Sequence, residues 1–97
     1  MDQERETKIF TNHLNREPKE GDLMIWWIPQ IPMWPFFYPV KDIFMAKSAL
    51  KLLADYDIFQ YENRVKPDYA NAGGCLIYED NEWVEWEDLI AGENIEF

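Results

Sequence analysis

Residues 25–40 read IWWIPQIPMWPFFYPV: three tryptophans, three other aromatic rings, four prolines and, in Gln30, one polar side chain. Extended back to Leu23, the run is eighteen residues long, the length of a membrane span. Pro29, Pro32, Pro35 and Pro39 exclude that reading. Each removes a backbone donor and breaks a helix, and hydrocarbon supplies no water for the carbonyls set free. Residues 24–28 lie before the first proline and are rich in β-branched and aromatic side chains, so they predict a strand that stops at Pro29. Ile25 and Trp27 point to one side of it and Met24, Trp26 and Ile28 to the other, which leaves no polar face and makes the strand a central, covered one. The spacing of three between Pro29, Pro32 and Pro35 matches a polyproline II turn and predicts a stiff extended arm packed across the domain's own core. A proline-rich docking ligand fits poorly, because the flanks are Trp, Met and Phe rather than basic residues.

The chain around this stretch has 97 residues, 47% of them apolar and 16% aromatic, enough for one modest core. We divide it into a polar N-terminal extension, residues 1–22, that forms a short helix or is partly disordered, and a single α+β domain, residues 23–97. Cys75 has no partner for an internal disulfide and nothing resembles a signal peptide, so a reducing cytoplasm is expected. The net charge is -10 and unevenly spread: Lys66 is the last basic residue, and nine carboxylates follow it. Such a surface repels phosphate backbones and anionic membranes, which argues against direct nucleic-acid binding and favours a basic partner.

Asp42 is placed to cap a helix over residues 43–56, with Ile43, Ala46, Leu50 and Leu53 as its buried stripe. Residues 57–65 continue as a helical turn or an irregular extension. KPDYANAGG, residues 66–74, reads as a loop, and residues 75–87 as a β-hairpin turning at Asp80 and Asn81. That register sets Ile77 against Val84 and Cys75 against Trp86 on a core face, Tyr78 against Trp83 on the other, and Glu79 against Glu82. The expected architecture is a small antiparallel sheet of the 24–28 strand and the 75–87 hairpin, with one principal helix packed on it and the proline arm alongside.

Catalytic constellations are absent from the sequence. His13 is the lone histidine, no phosphate-binding or nucleophile motif occurs, and Cys75 falls on the expected core face, so we expect no enzyme, no cofactor and no metal. Binding features are more prominent. Five tryptophans exceed what a core of this size hides, so Trp26, Trp27 or Trp34 is expected at a surface as a partner anchor, with Glu82, Glu85 and Glu87 as an acidic complement. In the loop, Lys66 offers a cation, Tyr69 a stacking face, Asn71 an amide, and Gly73 and Gly74 room for close approach, which together suit a small anionic ligand. Self-association across the proline arm or the hairpin, as a homodimer or higher oligomer, is a third way to cover the aromatics.

With WWIPQIPMWPF, ADYDIFQYENRVKPDYANAGG and EDNEWVEWED in view, the chain from about Met24 onward resembles a family of small bacteriophage and prophage proteins labelled superinfection exclusion proteins. The hairpin turn of that family reads Asp-Gly where this chain has Asp80 and Asn81. The resemblance implies a non-enzymatic phage accessory protein acting in the host cytoplasm, against a host antiphage defence protein or a competing phage. Three mechanisms fit: a binder that occludes a host protein with a basic surface, an oligomeric sponge holding a small nucleotide signal in the KPDYANAGG loop, and a structural phage protein.

Overall fold

The computed structural model of the chain describes residues 3–30, 33–64 and 71–86. In chain order these form helix α1 (Gln3–Leu14), strands β1 (Leu23–Ile28) and β2 (Phe36–Val40), helix α2 (Ile43–Glu62), and strands β3 (Ala72–Glu79) and β4 (Glu82–Glu85). The strands make one antiparallel sheet in the order β2-β1-β3-β4. The class is the α+β one that the sequence predicts, with β1 paired on both sides.

An apolar strand with two buried faces needs a lid on each. On one face Leu23, Ile25 and Trp27 of β1, Val40 of β2 and Cys75 of β3 pack against Ala46, Leu50 and Ala54 of α2. On the other, Met24, Phe37 of β2, Leu76 of β3 and Trp83 of β4 pack against Phe10 of α1. The expectation of a single core face on the hairpin is therefore corrected. Cys75, Ile77 and Trp86 belong to the α2 side, and Leu76, Tyr78 and Trp83 are core as well, because α1 covers them.

The extents also differ in instructive ways. The last part of the proline arm is strand β2, paired from Leu23↔Val40 to Trp27↔Phe36. Pro39 is tolerated there because β2 is an edge strand and its missing donor costs no ladder bond on the open side. Helix α2 starts at Ile43, with the Asp42 carboxylate accepting from the Met45 N–H at 2.8 Å, but runs to Glu62 rather than ending at Tyr56. Its inward stripe is Ala46, Leu50, Ala54 and Asp57, so a buried carboxylate continues a row that apolarity alone would end. The hairpin register is as expected, Tyr78 facing Trp83 and Glu79 facing Glu82. Asp80 and Asn81 adopt φ of 52° and 65°, the left-handed pair that a two-residue turn requires, and asparagine serves where glycine would.

Strand β3 begins at Ala72, and its glycines explain how two adjacent tryptophans fit. Trp26 pairs with Gly74 and Trp27 with Gly73, and the two indoles lie across those glycines on opposite faces of the sheet. A Cβ on Gly74 would stand 2.6 Å from Nε1 of Trp26 and 3.0 Å from its Cε2. The Trp26 ring continues past the glycine to β4, where its Nε1 donates to Glu85 at 3.4 Å.

Helix α1 is locked to the far edge of the sheet. The Gln3 side chain accepts from the Trp83 N–H and donates to the Trp83 carbonyl, both at 2.6 Å, so one amide occupies the open edge of β4 as a neighbouring strand would. Thr7 accepts from the Trp83 indole at 3.3 Å, and the Phe10 ring lies 5.3 Å from that indole. Arg16, just past the helix, forms a bidentate pair with Asp22 at 2.8 and 3.0 Å. Burial opposes ionisation of Asp22, but the Arg16 hydrogen bonds and the Lys19 N–H outweigh it and hold the carboxyl below the usual aspartate range.

Two substitutions test this frame. Phe10→Ala should lower unfolding free energy by about 3–5 kcal/mol in denaturant titration, because it empties the centre of the α1 lid. Gly74→Ala should cost on the order of 1–3 kcal/mol by displacing the Trp26 ring, and a shifted tryptophan fluorescence maximum should accompany the loss.

Candidate functional site

The surface that stands out lies where α2 overhangs the edge strand β2. Pairing with β1 turns Phe36 and Tyr38 to the α2 side of the sheet, beyond the reach of the helix, so both remain exposed with their rings stacked 6.3 Å apart. Between α2 and this edge is a cleft of about 340 Å³ lined by Trp27, Pro29, Phe36, Leu53, Tyr56, Asp57 and Gln60. Its wall is mostly apolar, and Asp57 is its buried acid. The outward side of α2 carries Phe44, Leu52, Tyr56 and Phe59, all exposed, and the turn before β2 carries Met33 and Trp34. Trp34 is 70% exposed and has the Arg5 guanidinium of α1 4.6 Å from its ring centroid, a cation-π contact that holds the indole face without covering it.

A second, more polar cleft of about 430 Å³ lies at the other end of β2. Phe10, Leu14, Tyr38 and Met45 form its apolar lining, and Arg16, Lys19 and Lys41 bring cations to it. Arg16 is committed to Asp22. The His13 ring meets the Tyr38 ring edge-on at 5.3 Å along the same rim.

The residues singled out in the sequence separate into three groups. Trp34 is exposed; Trp26 is half-buried across Gly74; Trp27 is 3% exposed and part of the core under α2. Glu82 is exposed at the hairpin and Glu85 is exposed beside Trp26, so the acidic complement and Trp34 occupy different parts of the surface. In the loop, Asn71 donates its amide to Asp57 of α2, and the faces of Gly73 and Gly74 are taken by indoles. A small ligand at these three residues would have to displace Asp57 and two tryptophan rings. Lys66, Tyr69 and Glu87 lie outside the described residues.

Sequence reasoning missed the outward side of α2. Its signal was nonetheless present: Met45, Ala49, Leu52, Tyr56 and Phe59 recur at steps of four and three, on a face distinct from the inward Ala46, Leu50 and Ala54. Among the described residues no group of His, Cys, Asp and Glu could hold a metal ion, and no helix is long and apolar enough to cross a membrane.

Residues 22–96 match the protein family described as superinfection exclusion gene product 17. The chain belongs to that family. A curated relative, the superinfection exclusion protein of Salmonella phage P22, is 38% identical over 77 residues, covering 66% of this chain and 75% of the relative. No solved structure matches. The segment matched to the superinfection exclusion family holds all four strands and α2 and leaves α1 outside. The surface formed by Phe36, Tyr56 and the outward side of α2 lies wholly within the matched segment.

Cys75 is a structural thiol in this setting. Burial pushes it up to about 12, the Glu85 charge adds to the rise, and a hydrogen bond involving the Met24 backbone only partly offsets both. The thiolate is the reactive form, so the native protein should leave a thiol-disulfide reagent unconsumed at pH 8, while one equivalent reacts once denaturant is added. Rapid reaction of the native protein would show that the sheet opens at β3.

Proposed function

We propose that this chain carries out superinfection exclusion as a non-catalytic binding protein in the host cytoplasm, occluding a host defence protein or a component of a competing phage. The observation that carries the reading is the placement of Met33, Trp34 and Phe36: large apolar side chains held out to solvent at one end of the sheet, on a chain whose net charge is -10. Exposed aromatic and Met anchors of this kind supply the buried centre of protein interfaces, and the Arg5 contact orders the Trp34 ring in advance, which lowers the entropy lost on binding. The acidic hairpin, with Glu79, Asp80 and Glu82 exposed at its turn, draws in a partner whose surface is basic and discourages acidic ones.

The test is the plating efficiency of a challenging phage on cells that express the protein. Trp34→Ala removes an exposed ring and should weaken exclusion by at least about tenfold with far-ultraviolet circular dichroism unchanged, as expected for loss of an interface anchor. Glu82→Lys relieves the like-charge pair with Glu79, so the fold is not harmed, and it should reduce exclusion through slower capture of a basic partner. If both variants exclude as well as the original chain, the binding surface lies elsewhere and the reading fails.

A further inference from the structure

The outward side of α2 is built to pack against another helix. Met45, Ala49, Leu52, Tyr56 and Phe59 follow the four-three spacing that keeps a seam facing a partner helix, and they lie beside the buried stripe of Ala46, Leu50 and Ala54 rather than on it. Met45 is 39% exposed, Leu52 68%, Tyr56 55% and Phe59 59%, whereas Ala49 is partly packed below and leaves room for a close approach at its level. A helix of 20 residues with its inward stripe already buried has no need of these side chains for its own domain. Together they present on the order of 450 Å² of accessible surface per copy, more than half of the roughly 800 Å² each partner contributes to a stable interface.

We propose that this seam is the interface of a two-fold homodimer, in which α2 of one copy packs antiparallel to α2 of the other with Leu52 at the axis. Two properties of the helix select a second copy and that direction. First, the seam is palindromic in bulk: turning it about Leu52 brings Met45 opposite Phe59, and the small Ala49 opposite the step between Leu52 and Tyr56, so large side chains meet gaps. Second, the charges are divided along the helix. Lys47 and Lys51 belong to its first half, with Lys41 just ahead of the cap, and Asp55, Asp57 and Glu62 belong to its second. Antiparallel pairing sets Lys41 near Glu62 of the other copy and opposes the two helix dipoles, whereas parallel pairing sets lysines on lysines. Lys51 and Asp55, ion-paired at 2.8 Å within each copy, stand on either side of the axis and are free to exchange partners across it. The aromatic turn at Trp34 stays outside this interface, so the dimer presents it twice and binds a multivalent target more tightly than one copy could.

Light scattering coupled to size exclusion tests this on the full chain. The expected mass is twice 11.7 kDa at micromolar concentration. Leu52→Glu places two carboxylates face to face at the axis and should raise the dimer dissociation constant by about 100-fold or more, with the circular dichroism of the monomer unchanged because the position is exposed in a single copy. Leu52→Cys should cross-link to itself under mild oxidation, Cys75 being buried and inert. Met45→Cys should cross-link to Phe59→Cys when the two variants are mixed, and neither to itself. A monomeric original chain overturns the proposal. So does self-cross-linking of Met45→Cys, which marks a parallel pair, or a loss of thermal stability in Leu52→Glu with no change in mass, which marks a segment of the same chain lying on the seam.

Discussion

The rest of the molecule depends on one constraint: β1 has no polar face. Six consecutive residues, Leu23 to Ile28, alternate between two sides of a sheet and are apolar on both, so neither side can be left to water. The adjacent indoles of Trp26 and Trp27 make the demand sharper, since each must lie flat against a neighbouring strand on its own face. Gly73 and Gly74 meet it by having no side chain at the two positions the rings cross. The pairing of β1 with β3 is thus specified by shape as well as by hydrogen bonds. A slip of one residue in either direction would set one of the two indoles against a Cβ, Trp26 against Cys75 or Trp27 against Ala72.

Two covered faces require two helices, and the chain supplies them unequally. Helix α1 is short and polar on its outward side, so once Phe10 is buried and Gln3 has sealed the β4 edge it leaves little apolar surface. Helix α2 is longer and carries apolar residues on more than its inward stripe. Its inward stripe of small residues, Ala46 and Ala54 about Leu50, lets the helix sit close to β1, and the bulky residues are left on the outside. With β2 an edge strand that α2 does not fully cover, the surplus of aromatic side chains gathers on one part of the surface. That segregation, rather than the total number of rings, is what leaves one part of the surface apolar.

The stretch 25–40 was legible where local chemistry decides and misleading where pairing decides. Its prolines excluded a membrane helix and ended β1, both of which are backbone effects confined to the residue itself. That Phe36 to Val40 form a strand was not legible, because Pro39 forbids a central strand and only the partner Met24 and the open edge make it acceptable. Asp57 misled in a similar way. A carboxylate reads as the end of a buried stripe until the Asn71 amide, fourteen residues on, is brought to it. The candidate surface was half legible: Trp34 was expected at the surface and is exposed, while Trp27 was expected there on the same grounds and lies in the core. The two differ only in which has strands on either side.

By itself, the sequence determined the class of the fold, the central strand, the cap and start of α2, the hairpin turn and its register, and the absence of a membrane span within the proline-rich run. These rest on periodicity, backbone stereochemistry and charge, which act over a few residues. Only the tertiary structure decided which rings are buried, that both faces of the hairpin are core, that Gly73 and Gly74 are seats for indoles, and that α2 has an unused apolar side. Burial is a property of what lies opposite, and the residues packed on Trp26, Trp27 and Trp83 include Gly74, Gly73 and Gln3, some 46 to 80 positions away in the chain.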